Sequence, residues 1–356
     1  MGKKVLMKGN EAIGEAAILA GCRAYFCYPI TPQTEVAEYL AKRMPEVGGV
    51  FLQGESEVAV GYMLFGAAAG GSKVFSTSSS PGISLMSEAL SYIACAELPV
   101  VLVNVMRNGP GLGGILPAQA DYHQATRGGG HGDYKVIVLA PATVQEAVDH
   151  MLLGFELAEK HRNPVMLVAD GMIGQMMEPV ELPEADTPRS PLTPGHEDWA
   201  TVGARGRGQH LVKTLFLNPD AAFAHNQKLR AKYDRIEAEE VRYEEVGTDR
   251  DLDVLIVSFG TMARICKTSM ATLEERGVRT GMMRPISLYP FPYARLRELA
   301  ARARLVVSVE LSMGQLVDDV RMGVEGKAPV RWYGKAGGLV PTPQEVVDAV
   351  TAMRRE

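Results

Sequence analysis

Two short segments place polar residues at points where predicted strands end and helices begin. Residues 28–32 (YPITP) close an apolar run, because the prolines on either side of Thr31 prevent a strand from continuing. Residues 53–57 (QGESE) bring Glu57 to the start of a segment rich in alanine and glycine. Parallel α/β sheets bind their ligands at the carboxyl ends of the strands. We therefore expect Thr31 and Glu57 to face one pocket at such an edge.

Glu57 has two readings. A glutamate at the surface of a helix N-terminus is explained by the helix dipole alone. Here the neighbouring residues are small or apolar, so the helix is expected to be largely buried. An unpaired carboxylate in a buried helix is costly. The surroundings therefore make Glu57 a candidate functional residue.

Further candidates follow two other predicted strands. Residues 77–82 (TSSSPG) open a helix, whose free N–H groups could bind an anion or a polar ring, or could simply be capped by the hydroxyls. Arg107 comes directly after the apolar strand 99–106, where it could clamp a carboxylate or form a structural ion pair. Residues 128–133 (GGGHGD) match neither the P-loop nor the GxGxxG pattern, so we expect a flexible flap or a close backbone approach.

The elements that position these residues alternate between strand and helix. Apolar runs at 24–28, 49–53, 73–77 and 99–106 predict buried strands, and Thr31 and Pro32 are predicted to cap a helix through about residue 42. This rhythm predicts an α/β fold with mainly parallel sheets covered by helices. We predict a first domain over 1–180, an extended linker with a charged helix over 181–250, and a second α/β domain over 251–356. Five prolines mark the end of the first domain and the start of the linker: Pro179, Pro183, Pro188, Pro191 and Pro194.

Composition narrows the function classes. The chain has 356 residues, 46% hydrophobic and 22% charged, with a net charge of −5, which argues against nucleic-acid binding. No apolar run is long enough to span a bilayer and no signal region precedes the first elements, so we expect a cytoplasmic protein. The four cysteines form no CxxC pair. We expect buried free thiols and, if electrons are transferred, a redox centre on another chain.

Four motifs in this order resemble the α subunits of the 2-oxoacid:ferredoxin oxidoreductases, most closely the branched-chain type. They are residues 28–32 (YPITP), 55–57 (ESE), 78–86 (SSSPGISLM) and 128–134 (GGGHGDY). The resemblance covers essentially the whole chain. It implies a pyrimidine-binding domain for thiamine diphosphate followed by a domain like the C-terminal domain of transketolase. It also implies a β subunit that holds the diphosphate, Mg²⁺ and a [4Fe-4S] cluster, a γ subunit and often a ferredoxin-like δ subunit, with ferredoxin and coenzyme A as substrates of the complex.

The resemblance also assigns roles to individual residues. Glu57 corresponds to the glutamate that hydrogen-bonds N1′ of the aminopyrimidine and is the catalytic candidate. Thr31 and Arg107 correspond to residues that contact the carboxylate and carbonyl of the 2-oxoacid. The cofactor-binding turn beside the aminopyrimidine corresponds to Ser79, Ser80 and Gly82. The segment 310–316 (ELSMGQL) also matches the family, and we assign it no catalytic role.

Alternatives stay open at this point. The 2-oxoglutarate type is similar and would need a second cation for the distal carboxylate, for which Arg127 is the nearest candidate. A non-catalytic structural subunit would keep the fold without contacting the cofactor. A nucleotide-binding dehydrogenase is disfavoured, because no GxGxxG turn follows the first predicted strand.

Overall fold

A computed structural model describes residues 3–183 and 196–355 of the chain. Pro188, Pro191 and Pro194 of the predicted linker lie outside these residues. The strands are β1 (Lys3–Lys8), β2 (Ala24–Cys27), β3 (Val50–Gln53), β4 (Val74–Ser78), β5 (Val101–Met106), β6 (Ile137–Leu139), β7 (Val165–Asp170), β8 (Met177–Leu182), β9 (Tyr243–Val246), β10 (Val254–Val257), β11 (Thr280–Pro285), β12 (Ser287–Tyr289), β13 (Val306–Glu310) and β14 (Val330–Gly334).

Helices connect these strands and cover the sheets. They are α1 (Gly9–Leu19), α2 (Thr34–Glu46), α3 (Glu57–Ala69), α4 (Ser80–Cys95), α5 (Tyr122–Arg127), α6 (Val144–His161), α7 (Gly171–Gln175), α8 (Pro219–Glu239), α9 (Gly260–Glu275), α10 (Tyr293–Ala300), α11 (Leu316–Val324) and α12 (Pro343–Met353), with a short 3-10 turn at His196–Asp198. None of the helices in the described part combines the length and apolar character needed to cross a bilayer.

Two large sheets and a separate antiparallel pair of β1 and β8 organise the described residues. Seven strands form the first sheet in the order β12-β6-β7-β5-β4-β2-β3, parallel except for the antiparallel pair of β12 and β6. Five strands form the second in the order β14-β13-β10-β11-β9, parallel except for β9. The predicted α/β class with mainly parallel sheets is confirmed. The predicted domain limits stay a prediction. Strand β9 belongs to the second sheet although it precedes residue 251, and β12 belongs to the first sheet although it follows residue 251.

Strand β5 shows why the first sheet forms where it does. All six of its residues are buried, and five of them are apolar, as expected for a central parallel strand covered on both faces. The sixth, Asn104, is polar and fully buried. Its side chain therefore needs partners inside the protein.

The helix after the YPITP segment begins later than predicted. Its first residue is Thr34 and its N-cap is Gln33. Residues 30–33 instead form a turn, closed by a 3.2 Å hydrogen bond from Gln33 N to Ile30 O. Thr31 is thus an exposed turn residue at the end of β2.

Hydrogen bonds and ion pairs join the two halves of the chain along what we call the seam. It comprises Gln119, Tyr122, Arg127, Glu146 and Asp170 of the first half and Thr261, Arg284, Gln315 and Asp319 of the second. Gln119 Nε2, for example, donates to Phe259 O at 2.8 Å, and Gln119 Oε1 accepts from Leu311 N at 3.0 Å. The seam fixes the second half against the edge of the first sheet where the candidate residues lie.

Candidate active site

Glu57 is the first residue of α3, and the structure buries it. Ser56 caps the helix by accepting a hydrogen bond from Ala59 N at 3.2 Å. Glu57 is only 5% exposed, and within the described residues its carboxylate has no hydrogen bond and no ion pair. Neighbouring Glu55 is exposed and accepts from Ser56 Oγ at 2.7 Å. A buried carboxylate without a partner is unusual, and it singles out Glu57 from Glu55.

Gly82 brings the start of α4 against this carboxylate. A Cβ built on Gly82 would lie 2.1 Å from Ser78 Oγ and 2.8 Å from Glu57 Oε1. Both distances are too short for an added side chain, so only a glycine lets the start of α4 lie this close to Glu57 and Ser78. The hydroxyls of Ser78 and Ser79 are fully buried and have no hydrogen-bond partner within the described residues.

Ser80 has a different role from its neighbours. Its hydroxyl donates to Asp121 Oδ2 at 2.6 Å and accepts from Arg107 N at 3.0 Å. Asp121 Oδ2 also accepts from Asn104 Nδ2 at 2.9 Å, which gives the buried asparagine of β5 a partner. Burial raises the pKa of Asp121, although the bonds from Ser80 and Asn104 and the nearby Arg107 charge oppose this shift. Ser80 therefore ties α4 to the end of β5 instead of offering a free hydroxyl.

Arg107 is buried at the end of β5 and reaches towards the YPITP turn. Its Nη1 donates to Thr31 O at 2.9 Å and its Nη2 to Leu112 O at 3.3 Å. Its Nε is buried and has no partner within the described residues. No carboxylate lies within ion-pair distance of Arg107 in the described part of the chain, so the structural ion pair that we considered is not formed there. The guanidinium keeps its charge available for an anion.

The structure thus brings all six predicted residues to one edge of the first sheet. The main chain of Thr31 contacts Arg107, Arg107 contacts Ser80, and Ser80 begins the helix that carries Gly82 to Glu57. The edge offers one carboxylate, two unpaired hydroxyls and one cation. Such a set can bind a flat ring that has both donors and acceptors, and it can bind a carboxylate.

Sequence reasoning missed several residues that shape this edge. Ser78 Oγ lies against Gly82, and Asp121 and Asn104 hold Ser80 by hydrogen bonds. Asn10 donates to Pro32 O at 2.8 Å and so holds the YPITP turn. The lone asparagine in the otherwise apolar run 99–106 was a signal that could have been used. Asp121 carried no such signal.

The remaining candidates lie outside this cluster. A Cβ on Gly130 would lie 2.3 Å from Ser87 O, so the glycine-rich loop makes a close approach to α4. Arg127 donates to Asp319 Oδ1 with both terminal nitrogens, at 3.2 and 3.1 Å, and is held in the seam. The four cysteines are free, and Cys22, Cys27 and Cys266 are buried. Burial raises the pKa of the Cys22 thiol to about 12.

One group of side chains has the spacing of a metal site. His161, Glu239 and Glu240 place ligand atoms within 4.8 Å of one another. However, Lys160 and Arg242 already pair with Glu240, at 2.6 and 2.8 Å. These bonds hold the pKa of Glu240 at about 2 against its burial. The cluster is therefore an ion-pair network around a buried carboxylate.

Comparison with known proteins connects this geometry to a family. A model of the pyruvate flavodoxin/ferredoxin oxidoreductase family, described as thiamine-diphosphate-binding, matches residues 15–245. The chain belongs to this family. A second family model, pyruvate:ferredoxin oxidoreductase core domain II, matches residues 252–346. The resemblance to 2-oxoacid:ferredoxin oxidoreductases that we drew from four motifs is confirmed.

Individual family members extend the comparison. Ketoisovalerate oxidoreductase subunit VorB of Methanothermobacter thermautotrophicus is 44% identical over 97% of this chain and 96% of its own length. 2-Oxoglutarate synthase subunit KorA of Methanothermobacter marburgensis is 34% identical over 99% of this chain and 100% of its own. The solved 2-oxoglutarate:ferredoxin oxidoreductase of Magnetococcus marinus, with 2-oxoglutarate, coenzyme A and succinyl-CoA bound, has a TM-score of 0.87 at 27% identity. The match covers 99% of this chain and 65% of that one.

The family's cofactor can be tested against the residues present. The aminopyrimidine ring of thiamine diphosphate is flat and carries ring nitrogens and an amino group. The carboxylate of Glu57 and the buried hydroxyls of Ser78 and Ser79 have no partner within the described residues and lie beside the backbone of Gly82, and this set suits such a ring. The donor set at this edge therefore fits the aminopyrimidine end of the cofactor.

Proposed function

We propose that this chain is the α-type subunit of a coenzyme-A-dependent 2-oxoacid:ferredoxin oxidoreductase. The complex would convert a branched-chain 2-oxoacid, 2-oxoisovalerate, to acyl-CoA and CO₂ while reducing ferredoxin. The observation that carries this proposal is the carboxylate of Glu57, which belongs to a residue only 5% exposed, makes no hydrogen bond within the described residues and lies against Gly82. Membership of the family and the 44% identity to a ketoisovalerate oxidoreductase subunit support it.

Each residue of the edge has a part in this proposal. Glu57 would hydrogen-bond N1′ of the aminopyrimidine and hold a proton there, which a carboxylate can do because it both accepts and releases protons. The hydroxyls of Ser78 and Ser79 would bond the polar atoms of the ring. When bound, thiamine diphosphate supplies the electron sink that lets a 2-oxoacid lose CO₂. The protein orients the cofactor and tunes its proton.

Arg107 and Thr31 would receive the substrate. The guanidinium is fixed by two main-chain carbonyls, and its buried Nε–H is still unpaired within the described residues. A cation already held in place binds a carboxylate with little loss of side-chain freedom. Thr31, whose main-chain carbonyl holds the guanidinium, is exposed, and its hydroxyl would donate to the carbonyl of the 2-oxoacid.

The rest of the active site belongs, in our proposal, to other chains. The edge strand β3 and helices α3 and α4 expose apolar side chains beside the site: Val50, Leu52, Val58, Tyr62 and Leu85. An apolar surface next to an incomplete site is typical of a subunit interface. We propose a β subunit there that holds the diphosphate, Mg²⁺ and a [4Fe-4S] cluster, with γ and ferredoxin-like δ subunits completing the complex.

The 2-oxoglutarate type is the second candidate, and the 34% identity to a KorA subunit favours it. It would need another cation near Arg107 for the distal carboxylate. Arg127, the residue considered from the sequence, is engaged by Asp319 in the seam. Turnover of 2-oxoisovalerate, pyruvate and 2-oxoglutarate by one purified complex tests the choice. Fastest turnover of 2-oxoglutarate would replace the branched-chain assignment.

The substitution Glu57→Gln in the assembled complex tests the central role. Because acid–base catalysis contributes on the order of 10²–10⁴ in rate, we expect a loss of that size in decarboxylation, with the subunits still associated in size-exclusion chromatography. Glu55→Gln is the matched control, since Glu55 is exposed and two residues away. Near-full activity of Glu57→Gln would reject the catalytic role and would favour a structural subunit.

A further inference from the structure

The segment 119–127 touches the candidate active site at one residue and the second half of the chain at several others. Asp121 accepts hydrogen bonds from Ser80 and Asn104 at the edge of the first sheet. Gln119, Ala120 and His123 on either side of it bond to residues beyond 258. We call the edge of the first sheet that carries Thr31, Glu57, Ser78–Gly82 and Arg107 the active edge. Asp121 contacts this edge and is held by neighbours that are anchored in the seam.

At the active edge, Asp121 is the acceptor on which a ring of bonds depends. Asn104 donates to Asp121 through Nδ2 and accepts from Ser80 N at 3.0 Å through Oδ1. Ser80 Oγ donates to Asp121 and accepts from Arg107 N. The Ser80 hydroxyl has a single proton, and Asp121 Oδ2 at 2.6 Å is a closer acceptor for it than Arg107 O at 3.2 Å, so that its lone pairs accept from Arg107 N. Asp121 therefore orients the hydroxyl that fixes the backbone of Arg107.

At the other end, Gln315 holds the segment on both sides of Asp121. Its Nε2 donates to Ala120 O at 2.6 Å, and its Oε1 accepts from His123 N at 2.8 Å. Gln119 adds a main-chain bond to Leu311 O at 2.8 Å. One glutamine side chain thus brackets the aspartate from the second half of the chain.

Glu310 makes the turn that presents Gln315. It is fully buried at the end of β13 and accepts from three main-chain N–H groups at the start of α11: Gln315, Leu316 and Val317, at 2.8, 2.9 and 3.1 Å. The hydroxyl of Ser312 donates to the same carboxylate. The family-like segment 310–316, to which we assign no catalytic role, is thus a hydrogen-bonded turn that directs Gln315 at Ala120 and His123.

We propose that Asp121 is a positioning residue for Arg107, and that the turn 310–316 sets Asp121 through Gln315. This inference rests on the proposed function, because it assumes that Arg107 binds the carboxylate of the 2-oxoacid. Loosening the segment would release the Ser80 hydroxyl from Asp121 and shift Arg107, whereas Ser80 N keeps its bond to Asn104 Oδ1 and so holds the start of α4, with Gly82, beside Glu57 and Ser78. The second domain would therefore determine the affinity for the substrate and leave the affinity for the cofactor unchanged.

The test uses the assembled complex with Asp121→Ala, Asp121→Asn and Gln315→Ala. A misplacement of about 1 Å can cost on the order of 10²-fold. For the Ala variants we expect KM for the 2-oxoacid to rise about tenfold, with kcat and the thiamine diphosphate concentration for half-activation within about twofold of wild type. Asp121→Asn keeps an oxygen acceptor for Ser80 and should restore KM to within about threefold. Gln344→Ala is the matched control, because Gln344 is exposed and its partners Asp348 and Arg276 both lie away from the segment 119–127.

The outcomes separate this inference from the proposed function. An unchanged KM in Asp121→Ala or Gln315→Ala, or an equal change in cofactor half-activation, overturns the positioning role. A KM of Asp121→Asn as high as that of Asp121→Ala also overturns it, because the acceptor would then be irrelevant. If Glu57→Gln is inactive while these variants keep a normal KM, only this inference falls. If Glu57→Gln is fully active, the proposed function falls first.

Discussion

The active edge and the seam bury polar groups to similar depths but satisfy them differently. At the edge, Glu57, Ser78 Oγ, Ser79 Oγ and Arg107 Nε have no partner within the described residues. In the seam, Asp319 accepts from Tyr122 Oη at 2.6 Å and also from Arg127 and Tyr293. Arg284 donates to Glu146 at 2.7 and 2.8 Å and to Glu244 at 2.6 Å.

This difference separates structural polar groups from functional ones. A buried donor or acceptor without a partner costs about 1–3 kcal/mol, so several at one edge point to a ligand that completes them. A network whose members are all bonded needs no ligand and holds its elements in place. Burial alone would have ranked Asp319 and Glu57 alike. The difference in partners is why we propose a structural role for Asp319 and a chemical role for Glu57.

Among the tests of this comparison, the largest expected effect comes from adding a side chain at Gly82. In Gly82→Ala the new Cβ would lie within 2.8 Å of both Ser78 Oγ and Glu57 Oε1, so these groups must move. We expect the affinity of the complex for thiamine diphosphate to fall by roughly 100-fold, about 2.7 kcal/mol, which lies within the cost range of overpacking. Cofactor titration of 2-oxoacid turnover measures the change.

Gly66→Ala in the neighbouring helix α3 is the control for this substitution. No atom lies within 4 Å of a Cβ at Gly66, so the alanine should stabilise the helix by about 0.5–1 kcal/mol and leave cofactor affinity unchanged. If both variants bind the cofactor normally, the residues around Gly82 do not form a ligand site. The contrast between the edge and the seam would then lose its functional meaning.

The seam and the edge also differ in how far the sequence predicts them. Strand β5 and helix α3 follow from local patterns, namely an apolar run and a hydroxyl cap before small residues. The pairing of β12 with β6 joins residues about 150 apart and leaves no local trace. Asp121 was missed for the same reason, because its partner Ser80 is 41 residues away. Local chemistry predicts the edge, whereas contacts that only the fold creates define its support.

An effect of intermediate size is expected from removing one hydroxyl in the seam and one at the active edge. Thr261 donates to Asp170 Oδ1 at 2.9 Å in the seam, whereas buried Ser78 Oγ has no partner within the described residues. Thr261→Val should destabilise the protein by about 1–2 kcal/mol, because it removes a donor from a buried carboxylate. Ser78→Ala removes an unpaired group, so the unfolding free energy without cofactor should stay equal or rise by up to about 1 kcal/mol.

Chemical unfolding of both variants, with and without thiamine diphosphate, makes this comparison. Ser78→Ala should lose part of the stabilisation that the cofactor gives, since binding to the native state adds stability in proportion to affinity. Thr261→Val should retain that increment. Equal destabilisation of the two variants in the absence of cofactor would show that Ser78 is bonded in solution, which contradicts the distinction drawn here.

The smallest expected effect concerns His150, which lies beside the seam but, unlike the polar groups of the seam, has a buried atom without a partner in the described part of the chain. It lies on α6 near Glu146 and Arg284, is buried, and its Nδ1 has no partner within the described residues. Burial lowers the pKa of His150 to about 4, and the positive charges of Arg284 and Arg242 add to this shift while Glu146 opposes it. The imidazole is therefore neutral in the folded protein at pH 7.

The sign of the resulting pH dependence follows from linkage. Between pH 6.5 and 4 the unfolded chain binds a proton at this histidine, whereas the folded chain does not. The contribution of the group to the free energy of unfolding is therefore complete above pH 6.5. Below that value it decreases by about 1.4 kcal/mol for each unit by which the pH is lowered. His150→Gln should remove this slope, so that the stability of wild type relative to the variant decreases by about 1 kcal/mol from pH 6 to pH 5. His131→Gln is the control, because His131 is exposed. Parallel pH profiles of the free energy of unfolding for wild type and His150→Gln would mean that Nδ1 finds a partner in solution. His150 would then be hydrogen-bonded like the polar groups of the seam.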